Sequence, residues 1–154
     1  MTFASQLATL GPIGRLPGPK ATWASLVTVA IGWFLPVPSL PIAVLLIAAG
    51  TGFAVWVCGE AEKELGHDAH PIVADEVIGQ SIALVLVPHS WIAFSAAFVL
   101  FRIYDIIKPF GAHQAQSLPG GQGIVADDFL AGIYSVLTLH ALIWVARMKL
   151  GIHL

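Results

Sequence analysis

The chain has 154 residues, of which seven are Lys or Arg and nine are Asp or Glu, while 57% are hydrophobic and mean hydropathy is +0.84. An ordinary soluble domain is about one-quarter charged, and so little polar surface cannot coat one. The net charge of −2 with no basic tract argues against a nucleic-acid partner, and the single cysteine, Cys58, leaves no intramolecular disulfide framework and no multi-cysteine zinc site.

The charges lie in islands. Residues 21–59, 77–101 and 129–146 carry none, and apolar runs of about 18 residues or more read as membrane segments. Residues 1–20 hold Gly11, Pro12, Gly14, Pro17, Gly18 and Pro19, so they lack the continuous apolar core of a cleavable signal peptide. The first run is broken by Pro36, Pro38 and Pro41, because proline has no amide for a helix interior. It divides into helices over 21–35 and 41–58, the first short for a span and the second long enough. Gly50 and Gly52 suit close helix contact. The polar GEAEKEL that follows can continue the second helix.

The run 77–101 would be a helix of about 37 Å if straight. Pro88-His89-Ser90 divides it into 77–87 and 91–104. Residues 109–126 are glycine-rich and polar, a loop, and the last helix covers 127–147. The expected architecture is a single domain over 1–154, an all-α integral membrane protein of about four membrane-embedded helical segments. Arg15 and Lys20 favour a cytoplasmic N-terminus, and two spans then return Lys63 to the cytoplasm. Arg147 and Lys149 draw the C-terminus the same way, in conflict with a hairpin, so charge alone leaves its side open.

Four charged clusters stand at segment ends: Asp75-Glu76; Arg102, Asp105 and Lys108; the Gly120-Gly121-x-Gly123 loop leading to Asp127-Asp128; and Lys20 with Thr22. Acidic pairs are the hard oxygen ligands Mg²⁺ prefers. Arg and Lys suit phosphate, and glycines let backbone amides approach an anion. Together they are what a handler of lipid phosphate needs.

Each cluster also has a structural reading. Asp127 and Asp128 read equally as helix caps. Arg102, Asp105 and Lys108 read as an interfacial anchor with an intrahelical ion pair, and the glycine loop as a turn. His67, His70 and His113 read as solvated, Cys58 and the five tryptophans as packing or interfacial residues, and Glu60 and Asp68 as outlying site candidates.

IVADEVIGQ, FRIYDIIKPFG and GGQGIVADDFLAG, in this order, resemble the motifs of the phosphatidylglycerophosphatase A family. The matching positions are Asp75, Glu76 and Gly79; Arg102, Asp105, Lys108 and Pro109; and Gly120, Gly121, Gly123, Asp127, Asp128, Ala131 and Gly132. The likeness spans about residues 11–135. Near the N-terminus KATWASL keeps Thr22, Ser25 and Leu26 of a family pattern but lacks its two glycines, and KPFGAH lacks a second proline.

The resemblance implies a Mg²⁺-dependent phosphatase of the bacterial inner membrane, acting on phosphatidylglycerophosphate at the cytoplasmic face to give phosphatidylglycerol. It implies Asp75, Glu76, Asp127 and Asp128 as metal ligands and catalytic residues, one of them the base for water, with Asp105 also catalytic, orienting Arg102 or Lys108 or joining the metal shell. It also implies Arg102, Lys108, Lys20, Thr22 and the three loop glycines as substrate contacts. One site then requires Glu76 and Arg102 at one membrane face, so 77–104 is expected to bend or re-enter near Pro88. The alternatives are another lipid-phosphate enzyme, such as a phosphotransferase, or a transporter or channel subunit. The last would carry charges within its spans.

Overall fold

The computed structural model describes residues 1–66, 69–109 and 111–151. Among them the regular elements are all helical: α1 (Phe3–Ala8), a 3₁₀ turn (Ile13–Arg15), α2 (Lys20–Phe34), α3 (Leu40–Leu65), α4 (Ala74–Ala83), α5 (Trp91–Ile107), α6 (Ala112–Ala115) and α7 (Gly121–Leu150).

The proline break falls where the sequence places it. α2 ends at Phe34, the chain runs extended from Leu35, and α3 takes Pro41 in its first turn, where no intrahelical amide bond is lost. α3 continues through GEAEKEL and stops at Gly66, whose φ is +97°. Ahead of these helices, α1 is capped by Thr2 and packs on α3. Glu64 accepts hydrogen bonds from Thr2 and Ser5, and Val73 N–H donates to the Ala8 carbonyl.

The run 77–101 is a helical hairpin. α4 stops at Ala83, α5 begins at Trp91, and Leu86 between them takes a left-handed φ of +54°. His140 of α7 meets the Val85 carbonyl through Nε2 at 2.9 Å and holds the turn. Val87 packs there with Leu139 and Ile143 of α7.

The last helix departs from its expected start. α7 begins at Gly121, and α6 interrupts what reads as a featureless loop. Gly120, with φ +66°, ends the loop. A Cβ on Gly121 would strike the Val55 carbonyl and Gly59 of α3, and one on Gly123 would strike the Leu118 carbonyl. Close backbone packing thus selects residues of poor helix propensity for the first turn.

α4 and α7 cross at glycines too. A Cβ on Gly79 would strike the Phe101 ring and the Asp128 carbonyl, and one on Gly132 would meet the Gly79 carbonyl. That contact of backbones sets Asp75-Glu76 beside Asp127-Asp128. α1, the turn before α4, the end of α5 and the start of α7 gather at one end of the bundle. Residues 35–39, the hairpin turn and the end of α7 lie toward the other. Lys149 is roughly 33 Å along α7 from Asp127, so the C-terminal cations stand away from that first end.

Leu40–Leu65 and Gly121–Lys149 are long and apolar enough to cross a membrane, and only 17% and 28% of their most apolar windows are buried. Leu45, Leu46 and Trp56 of α3, Trp91, Ile92 and Ile106 of α5, and Leu137, Trp144 and Met148 of α7 are all exposed. Bare aliphatic faces on this scale need lipid, and the chain is a membrane protein.

Candidate active site

An open cavity of about 330 Å³ lies at the first end of the bundle. Asp75 and Glu76 reach it from α4, Asp105, Ile106 and Lys108 from α5 and its end, and Asp127 and Asp128 from α7. Asp75, Glu76, Asp127 and Asp128 are all buried. Neither acidic pair serves as a cap. Val73 and Gly120 are the N-cap residues, and neither makes a side-chain capping bond. Asp127 and Asp128 lie well inside α7, beyond the first turn where the helix dipole acts.

Glu76 Oε2 accepts from Arg102 Nη1 at 2.5 Å and from Ser25 Oγ at 3.1 Å. Arg102 Nη2 meets Asp105 Oδ2 at 3.1 Å, so one guanidinium holds two carboxylates from behind. Lys108 Nζ donates to Asp127 Oδ2 at 2.5 Å. Lys108 itself has φ +49°, a left-handed conformation that ends α5 and turns its side chain to α7. Adjacent residues on a helix point about 100° apart. That is why Asp127 serves Lys108 while Asp128 faces Glu76 and Asp105.

One oxygen each from Glu76, Asp105 and Asp128 lies within 4.8 Å of the others, a spacing that can hold a metal ion. Asp128 Oδ2 is buried without a hydrogen-bond partner, and such an oxygen calls for a cation. Five carboxylates face this cavity with Lys108, and Arg102 stands behind them. Burial pushes the Glu76 carboxyl up to about 7; the Asp105 charge adds to this, while Arg102 and Ser25 oppose it. Burial on its own lowers Lys108, but its bond to Asp127 and the charges of Asp127, Asp105 and Asp128 together outweigh that and raise it. The donor set, three carboxylates with one oxygen unpartnered, fits Mg²⁺.

The structure therefore brings Asp75, Glu76, Arg102, Asp105, Lys108, Asp127 and Asp128 into one place. It groups Asp105 with Glu76 and Asp128, and gives Asp127 to Lys108. Lys20 and Thr22 open α2 nearby, but the residue of that turn lining the cavity is Ala21. Gly121 and Gly123 are taken up by close packing, and a Cβ on Gly120 would lie 3.6 Å from Glu62 Oε2. None of the three lines the cavity. Glu60 pairs with Lys63, and His113 is exposed. His70 lines the cavity rim, and His67 and Asp68 lie outside the described residues. Ser25, read from the sequence only as a motif position, is fully buried against Glu76. Its spacing with Thr28, one polar stripe inside a charge-free run, is the signal that marks it.

A family model described as Phosphatidylglycerophosphatase A matches residues 6–143. A Haemophilus influenzae protein named phosphatidylglycerophosphatase A is 37% identical over 137 residues, covering 86% of this chain and 82% of its own. An Escherichia coli K12 protein of the same name is 35% identical over 134 residues, covering 85% and 75%. A Bacteroides thetaiotaomicron protein, named provisionally as a phosphatidylinositol-3-phosphatase, is 35% identical over 130 residues, covering 81% of each chain. No solved structure matches.

Proposed function

The chain belongs to the phosphatidylglycerophosphatase A family, and from that premise we propose that it hydrolyses the terminal phosphate of phosphatidylglycerophosphate with Mg²⁺. The observation that carries this reading is the group Glu76, Asp105 and Asp128, set beside Lys108 in a cavity at the end of a lipid-exposed bundle.

Glu76, Asp105 and Asp128 would hold the ion. Bound there, Mg²⁺ neutralises charge on the phosphoryl oxygens and lowers the pKa of water. Lys108 points into the cavity and binds the phosphate, and Asp127 fixes its position. Arg102 does not line the cavity; it keeps Glu76 and Asp105 in register. Asp75, on the cavity wall, takes a proton from the attacking water. The water oxygen bonds to phosphorus, the bond to the glycerol oxygen breaks, and that oxygen takes a proton from solvent in the open cavity and leaves as the free hydroxyl, while Asp75 returns its proton to solvent. Such a reaction is the step that completes phosphatidylglycerol.

Two spans, α3 and α7, carry the protein in the bilayer, with α2 and the α4–α5 hairpin embedded beside them, the hairpin re-entering from the site end. Arg15, Lys20, Lys63 and Lys108 at that end outnumber Arg147 and Lys149 at the other. This balance favours a cytoplasmic site and, for a bacterial enzyme, the inner membrane.

Purified protein with phosphatidylglycerophosphate and Mg²⁺ should release inorganic phosphate, and a chelator should stop it. No release, or release indifferent to chelator, rejects the reading. The Bacteroides relative favours a second reading, a phosphoinositide substrate. Faster release from phosphatidylinositol 3-phosphate in the same assay would establish it.

A further inference from the structure

We propose that the substrate's glycerol and acyl chains pass sideways out of the cavity, through a gap between α2 and α5 rimmed by Ala21 and Ile106. The phosphate is thus drawn in without the lipid leaving the bilayer. The proposal rests on the lipid-phosphate reading above and adds the route and the residue that gates it.

The register of the two helices carries the argument. α2 and α5 run antiparallel. Near the hairpin turn Trp33 packs edge-on against Phe94, with ring centroids 5.1 Å apart, and stacks on Trp91. Further along, Ser25 faces Arg102, with Oγ and Nη1 3.5 Å apart. One helical turn beyond, α2 presents Ala21 and α5 presents Ile106, each four residues further on. The rungs between the helices thus go from aromatic to hydrogen-bonded to a single methyl group. The first two are closed by side-chain contact. At the third, Ala21 and Ile106 are cavity wall.

The chemistry of that wall fits the occupant. Asp75, Glu76, Asp105, Asp127, Asp128 and Lys108 supply the polar lining. Outside the gap the surface is apolar: Ile106 is 73% exposed, and Ile103 and Ile107 are exposed beside it. Ile103, Ile106 and Ile107 share one face of α5. The Trp23 indole N–H donates to the Pro17 carbonyl at 3.2 Å, which holds its ring at the interfacial level where tryptophan is favoured. A phosphate in the cavity and an acylglycerol on this flank meet matching surfaces within one molecule's length. A soluble phosphate ester would gain nothing from the flank.

Ala21→Trp should close the gap, and Ala21→Val should narrow it. The assay uses phosphatidylglycerophosphate in mixed micelles, with the deacylated, water-soluble headgroup as competitive inhibitor. For Ala21→Trp the KM for the lipid should rise ten-fold or more relative to the inhibition constant of the headgroup, with Ala21→Val between. Leu45→Trp, on the exposed outer face of α3, should match wild type. Retained inhibition by the headgroup reports that the variant cavity is folded. Equal shifts in KM and inhibition constant, or a wild-type KM in Ala21→Trp, overturn the portal while the substrate reading stands. A wild-type protein that releases no phosphate from the lipid overturns both.

Discussion

Glu76 and Arg102 stand 26 positions apart, on different helices, and their side chains meet at 2.5 Å. The contact defines the hairpin, because a straight helix over 77–101 would hold the two ends nearly 40 Å apart. It also ties the carboxylate group of Glu76, Asp105 and Asp128 to the guanidinium behind it.

Removing one partner of a buried ion pair strands the other, at a cost of about 3–5 kcal/mol. Arg102→Ala should lower unfolding stability by that amount, measured in detergent by denaturant titration. Glu76→Gln in the same background should recover part of the loss. Arg102→Lys should fall between, since a point charge cannot span both Glu76 and Asp105 as the planar fork does. Unchanged stability in Arg102→Ala would remove the pair from its structural role.

Asp127 and Asp128 are neighbours with different duties. Asp128→Asn should weaken Mn²⁺ binding, followed by paramagnetic resonance, by about ten-fold or more, as loss of a ligand requires. Asp127→Asn should leave metal binding within about three-fold and raise KM, because it frees Lys108 from its partner. Equal metal affinities in the two variants would contradict the grouping of Glu76, Asp105 and Asp128.

Ser25→Ala removes the hydroxyl that donates to Glu76 at 3.1 Å. Activity should fall by about 10–100-fold, the range for groups that orient a ligand, and excess Mg²⁺ should restore part of it. A loss that no Mg²⁺ concentration relieves, accompanied by a lower melting temperature, would make Ser25 a packing residue only.

Gly79→Ala and Gly132→Ala place a methyl group where α4 and α7 touch. Overpacking of this kind costs about 1–3 kcal/mol, and here it also parts Asp75-Glu76 from Asp127-Asp128. Both variants should lose melting temperature and activity together. Gly52→Ala is the control, since a Cβ there meets nothing within 4 Å, and it should match wild type or melt slightly higher.

The helix breaks at Pro36–Pro41 and at Pro88 were legible because proline acts locally, through its own missing amide. The clustering of the seven charged residues was legible as well, because islands of charge at the ends of apolar runs have few other uses in a chain this poor in charge. The start of α7 was not. Gly121 and Gly123 lie in a helix only because α3 and the preceding loop press against their backbones, and no local propensity reports that contact. The same packing accounts for Gly121 and Gly123 as structural residues, and neither lines the cavity. Ser25 was hidden for a related reason: its importance lies in Glu76, which another helix brings to it.

By itself, the sequence determined that this is an all-helical membrane chain and which charged side chains stand at the ends of its apolar runs, since hydropathy, periodicity and charge are properties of the chain itself. Only the tertiary structure decided which carboxylates converge, that Asp127 answers Lys108 while Asp128 joins Glu76 and Asp105, and that the end of α7 lies away from the site. Neighbouring residues on a helix point in different directions, and what each one meets depends on the helix that packs across from it.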